Sequence, residues 1–222
     1  MLQTYLVTKM LCMKRLIRLV KTTRFFNSGQ VKASHVIGQW ILHLVSLESV
    51  KVIVEVGSWN GRGSSLLICR AIERFSASLD KKVYGVEANS LQYTKARRFL
   101  QSFPYYELLF GSIVGADQLD TDNLLGNEVE WLRQDVSDLQ SCPMVFHMLP
   151  TKIDLLILDG GEFSSYSEFQ ALRNSCRGWI ILDDIGLRKN KMVFQNLLED
   201  SSFTLIDSSS ERNGIAVFKK KS

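Results

Sequence analysis

Three carboxylates stand where the chain has just left an apolar run. Asp159 follows "KIDLLIL", and Asp183 and Asp184 follow "GWIIL". Such runs fit parallel strands covered on both faces, and open α/β sheets bind ligands beyond the carboxyl ends of their strands. Carboxylates converging on one edge repel each other unless they are protonated, paired or bound to a cation. Oxygen-only ligands suit a hard ion such as Mg²⁺, which keeps waters for substrate oxygens to displace and lowers the pKa of a bound hydroxyl. Asp159, Asp183 and Asp184 are therefore the expected metal ligands. The alternative is a structural loop in which one carboxylate caps the next helix.

A second group lies earlier in the chain. "VEVGSWNGRGSS" places Gly57, Gly61 and Gly63 between a branched apolar run and a helical pattern. Glycines there let backbone approach a ligand closely. A dinucleotide fingerprint reads GxGxxG with a pyrophosphate at the helix start. Here the spacing is Gly-x-x-x-Gly-x-Gly, and Glu55 precedes it. That acid disfavours a pyrophosphate and attracts an ammonium group; a purely structural turn is the alternative. Glu87, ending "VYGVE", stands where nucleoside-binding α/β folds place an acid on the ribose hydroxyls. Otherwise it is a surface acid opening a helix. A ribose diol without a pyrophosphate, together with an ammonium, describes S-adenosylmethionine.

Those residues need elements to hold them. Strand-like and helix-like patterns alternate five times between Val50 and Leu198, and "FTLIDSSSERNGIAVFKKK" reads as a terminal hairpin. This predicts an α/β fold: a doubly wound, mostly parallel, Rossmann-like sheet with a C-terminal antiparallel hairpin. Residues 36–222 form the expected catalytic domain, and Val114–Pro150, polar and partly irregular, the expected insertion or lid.

No Asp or Glu precedes Glu48, whereas that stretch carries seven Lys and Arg residues, so a basic leader precedes an acidic body. Residues 1–35 are read as a basic helical arm that covers the site or lies on the sheet; the alternatives are a membrane-surface helix and an organellar presequence. No apolar run is long enough to span a membrane. Four dispersed cysteines without a CxxC pair argue against a zinc or disulfide scaffold and fit a reduced, cytoplasmic setting. Nucleic acid is not the expected partner, because the basic stretch lacks interleaved aromatics.

The whole pattern resembles the class I S-adenosylmethionine-dependent methyltransferases. "EVGSWNGRGS" is similar to their first motif and "VYGVEAN" to their second. The resemblance implies that Gly57, Ser58, Gly61, Gly63 and Asp159 shape the cofactor site. It places Glu55 near the methionine ammonium and Glu87 on the ribose. The three later acids look like those of the catechol- and caffeoyl-CoA-type O-methyltransferases, whose metal is held by an Asp and an Asp-Asn pair; here Asp184 replaces the Asn. The catalytic lysine of the catechol enzymes falls on Glu162. A sugar- and antibiotic-tailoring branch carries "DG-x-H-x-Y" here, with its His at Glu162 and its Tyr near Tyr166. Glu162 is thus open as a general base, a fourth ligand or a helix cap.

The expected function is S-adenosylmethionine-dependent, Mg²⁺-assisted O-methylation of a sugar or other small molecule, with Glu162 and Asp159 as the catalytic candidates. The rivals are a non-catalytic scaffold of the same fold, anchored by the basic arm, and an NAD-type oxidoreductase. Oligomeric state stays open, a homo-oligomer included.

Overall fold

A computed structural model of the protein describes residues 31–75 and 80–221. Residues 1–30, which hold most of the basic arm and the expected membrane contact, lie outside the described residues. Residues 31–35 belong to the body, because Val31 is buried in the core.

The chain runs α1 (Val36–Ser46), β1 (Val52–Val56), α2 (Ser64–Phe75), β2 (Lys82–Glu87), α3 (Ser90–Leu100) and β3 (Tyr106–Phe110). Then come α4 (Glu128–Ser141), β4 (Ile153–Leu158), α5 (Ser165–Leu172), β5 (Cys176–Asp183), α6 (Arg188–Glu199), β6 (Phe203–Ser209) and β7 (Ile215–Lys220). The seven strands form one sheet in the order β3-β2-β1-β4-β5-β7-β6. Strands β1 to β5 are parallel, and β7 runs antiparallel between β5 and β6. The expected doubly wound sheet and its C-terminal hairpin are both present.

Period-two alternation sends strand side chains to two cores. Ile53, Leu155, Ile157 and Ile181 face α1, α2 and α3, where Trp40, Leu67, Ile68 and Ala96 pack. Val54, Leu156, Leu158 and Ile180 face α5 and α6, against Phe169, Val193 and Leu197. Every residue of β4 is buried, as a central parallel strand requires.

Pairing of Val56 with both Val86 and Leu158, and of Leu158 with Leu182, brings four strand ends level. The chain leaves β1 toward β2 on one side, while β4 lies on the other. That reversal opens a crevice above the β1 and β4 ends. Residues 114–150 contain α4 and two short 3₁₀ turns, Ala116–Gln118 and Phe146–Met148. Helix α6 begins at Arg188 rather than near Lys191, because only Ile185, Gly186 and Leu187 separate it from Asp184. That early start puts Lys189 in the first turn.

Candidate functional site

A cavity of about 530 Å³ fills the crevice, lined by the β1, β2, β4 and β5 ends and walled by α4. That size is typical of a small-ligand site.

The floor is built from tight backbone. Gly57 has φ +87°, and a Cβ there would lie 2.0 Å from the Asp159 carbonyl oxygen. Only glycine lets the β1 and β4 ends close up in this way. Gly57 and Ser58 both donate their N–H groups to the Val86 carbonyl, at 3.0 and 3.1 Å. Gly61 does different work: it packs against Ala96 and Leu100 of α3. Neither Gly61 nor Gly63 lines the cavity, whereas Gly57, Ser58, Trp59 and Ser64 do.

Glu87 reaches the cavity from the end of β2. Its Oε2 accepts from the Trp59 N–H at 2.7 Å and its Oε1 from the Asn89 N–H at 2.9 Å. Burial pushes its carboxyl up to about 7, against the pull of those two donors. Each oxygen keeps a lone pair that could accept a ribose hydroxyl.

Glu55 does not meet the cavity, which corrects the expectation of an ammonium partner there. It is the last residue but one of β1, and alternation puts it on the face of Ile53, toward α2. Its Oε2 accepts from Ser65 at 2.6 Å, from Ser58 at 3.3 Å and from the Tyr106 hydroxyl. Fully buried, it anchors the glycine turn from behind; burial raises its pKa.

Glu168, from the first turn of α5, has the position that Glu55 lacks. It is buried, it lines the cavity, and its Oε2 has no hydrogen-bond partner. Burial lifts its carboxyl to about 7. Nothing in the sequence pattern marks it apart from its place nine residues after Asp159. From α4, Asp135 accepts the Phe163 N–H at 3.2 Å, and Asp138 holds the Asn89 amide at 3.1 Å.

The three later acids do converge: Asp159, Asp183 and Asp184 each offer an oxygen within 4.8 Å of the others. Asp184 has φ +58°, a left-handed conformation that Asp adopts more readily than most residues other than glycine. Between them lies Lys189. Its Nζ is 2.8 Å from Asp159 Oδ1 and 2.9 Å from Asp184 Oδ2. Arg212 pairs with Asp183 at 3.2 Å, and the Asn213 amide donates to Asp184 at 2.9 Å. Burial raises Asp159 despite the lysine, and raises Asp183 to about 6. For Asp184, burial is outweighed by Lys189 and Asn213, which hold its carboxyl below the ordinary value.

The oxygen set has the hardness that Mg²⁺ needs, yet the lysine ammonium already holds oxygens of two of its three acids. The residues therefore do not fit the expected ion, which would have to displace Lys189 from two of its three ligands. Lys189 is the main residue that the sequence reading missed. Its signal was the "KN" five residues after Asp184, in the "DD-x₄-KN" string. The neighbouring Asn190 bonds the Leu158 and Asp183 carbonyls at 3.0 and 2.6 Å, tying β4 to β5.

Glu162 lines the cavity, and its Oε1 accepts the Lys189 N–H at 3.2 Å. It thus caps α6, not the helix that follows it directly.

No family model matches the sequence, and no curated protein matches it. Solved structures do. A methyltransferase from Geobacter sulfurreducens is 15% identical with a TM-score of 0.56, over 97% of this chain and 90% of that one. The O-methyltransferase from Bacillus cereus in complex with SAH is 13% identical, TM-score 0.57, over 96% and 91%. The O-methyltransferase TomG from Streptomyces achromogenes, in complex with SAM, is 16% identical, TM-score 0.56, over 92% and 88%. At these identities the likeness is one of fold: the chain has the fold of these methyltransferases along almost its whole described length.

Proposed function

We propose that the protein is an S-adenosylmethionine-dependent O-methyltransferase acting on a hydroxyl of a sugar or other small molecule. The observation that carries this reading is Glu87. It is a buried acid at the end of β2, facing a small-ligand cavity at the β1–β4 switch point, beside a turn that holds no pyrophosphate fingerprint. SAH and SAM in the structures of the Bacillus cereus enzyme and TomG support it.

In this reading Glu87 accepts the ribose hydroxyls, and Gly57, Ser58 and Trp59 border the cofactor. Glu168, with its unpartnered oxygen, receives the methionine ammonium. The acceptor oxygen attacks the methyl carbon, the carbon–sulfur bond breaks, and the sulfonium leaves as a neutral thioether. The hydroxyl proton passes to a carboxylate, a role this reading gives to Glu162, which lines the cavity. Asp159 is less available, being paired with Lys189. The chemistry asks mainly for alignment, since the methyl group is already activated. Trp59 and Trp131 line the mouth with about half of each side chain exposed, surfaces on which a sugar or aromatic ring can stack.

Calorimetry with S-adenosylhomocysteine tests the assignment. The protein is expected to bind it and to melt at a higher temperature in its presence. Glu87→Ala is expected to lose about tenfold or more in affinity, on the order of the hydrogen bonds to a charged group that it removes. Equal affinity of Glu87→Ala, or tighter binding of NADH than of S-adenosylhomocysteine, would overturn the reading.

A further inference from the structure

The acid cluster carries its own cation. We propose that the Lys189 ammonium is the resident counter-ion of Asp159 and Asp184, and that methyl transfer in this protein proceeds without a divalent metal. The second half of that statement rests on the methyltransferase reading; the first does not.

Distances of 2.8 and 2.9 Å are those of charge-assisted hydrogen bonds, and both carboxylates use an oxygen on the lysine. Lys189 is held there by both neighbours and by its own backbone. Arg188 is paired with Asp120 and Glu128, Asn190 is bonded to the ends of β4 and β5, and the Lys189 N–H is capped by Glu162. The start of α6 therefore cannot swing away to clear the cluster without breaking three separate sets of bonds.

Charge points the same way. Asp159, Asp183 and Asp184 bring three negative charges, and Lys189 and Arg212 bring two positive ones within the same group of residues. A divalent ion entering this set would strand an ammonium with its partners taken, in a place where only 14% of the lysine side chain is exposed. An unpaired charge there is strongly disfavoured. Of the three N–H bonds on Nζ, two are engaged, which leaves one donor for an acceptor oxygen in the cavity that Lys189 lines. A single donor positions a lone hydroxyl, whereas a metal with open positions would prefer a pair of oxygens.

The experiment is a Mn²⁺ titration of the full chain followed by electron paramagnetic resonance, with and without S-adenosylhomocysteine. The parent protein is expected to leave Mn²⁺ free up to millimolar concentration. Lys189→Met, which removes the ammonium and keeps much of the volume, is expected to gain one Mn²⁺ site at least tenfold tighter. Lys189→Arg, which keeps a cation, is expected to stay metal-free. If Lys189→Met fails to fold by circular dichroism, the parent titration alone decides. One tight Mn²⁺ per parent chain would overturn the resident-cation proposal. So would a folded Lys189→Met that gains no site. Methyl transfer that EDTA abolishes and Mn²⁺ restores would overturn the metal-free reaction. Failure of S-adenosylhomocysteine to bind in the same samples would sink the methyltransferase reading, while the Mn²⁺ titration still tests Lys189.

Discussion

Glu55 and Glu168 are both buried acids, one behind the glycine turn and one over Gly160, and they differ in which of them faces the cavity. Glu55 Oε2 accepts from Ser58, Ser65 and Tyr106, so truncating it removes the acceptor that three buried hydroxyls share. Glu55→Ala is expected to cost about 2 kcal/mol of stability, the usual penalty for orphaned buried polar groups, read as a lower urea midpoint. Glu168 Oε2, like Glu55 Oε1, has no hydrogen-bond partner, but only Glu168 lines the cavity. Glu168→Gln is expected to leave the midpoint within about 0.5 kcal/mol, or to raise it, since burying the acid is itself unfavourable. The same change is expected to weaken S-adenosylhomocysteine binding about tenfold. Equal affinity of Glu168→Gln and parent would return the ammonium to another group. The distinction was half legible in the sequence. In "VIVEV" Glu55 is the fourth of five strand residues, two short of the turn, and alternation puts it on the same face as Ile53. Glu168 has no such signal, because its importance depends on how closely α5 folds back over Gly160.

At the scale of elements, α6 ties the site together, and three consecutive residues divide the work. Asn190 joins β4 to β5, Lys189 fills the acid cluster, and Arg188 reaches the other way to residues 114–150. Its guanidinium bonds Asp120 at 2.8 Å, Glu128 at 3.3 Å and the Asn123 carbonyl at 3.1 Å, over the Phe163 ring. These pairs are only partly exposed and share one planar fork, so they exceed an isolated surface pair. Arg188→Ala is expected to speed amide hydrogen exchange across residues 118–128 about tenfold, with β4 and β5 unchanged, a loss of about 1.4 kcal/mol in local opening. Protection unchanged along that segment would show that it is held by its own packing. The strands were legible because branched apolar runs bounded by glycine and charge leave few other readings. The start of α6 was not, since its first turn is basic and lacks a side-chain cap on its own N-terminal residue; the cap comes from Glu162, distant in sequence.

For the whole molecule, folding gathers acids of one kind around one cavity. Glu87 and Glu168 are each lifted to about 7, and Asp135 to about 6, with burial the leading cause for all three. A carboxyl raised in the folded state binds a proton that the unfolded chain has already released. Stability from these groups is therefore full below the ordinary carboxylate range, and it is lost as pH rises from about 4.5 toward about 7. Asp184 and Asp200, held below their ordinary values, act in the opposite sense and lose their contribution only in stronger acid. The ligand-free protein is thus expected to be most stable near pH 5, on the acid side of neutrality. A cofactor carrying an ammonium, and a ribose donating hydroxyls, favour the ionised carboxylates. Affinity for S-adenosylhomocysteine should then rise as pH increases from about 5.5 to about 7.5, and binding near pH 6.5 should release protons. Calorimetry in two buffers of different ionisation enthalpy reads that release directly. The thermal shift given by the ligand should also be larger at pH 7.5 than at pH 5.5, while the ligand-free midpoint moves the other way. A dissociation constant flat across that range, with no buffer dependence, would mean that the buried acids do not face the cofactor. Their role would then be confined to setting the stability of the empty fold.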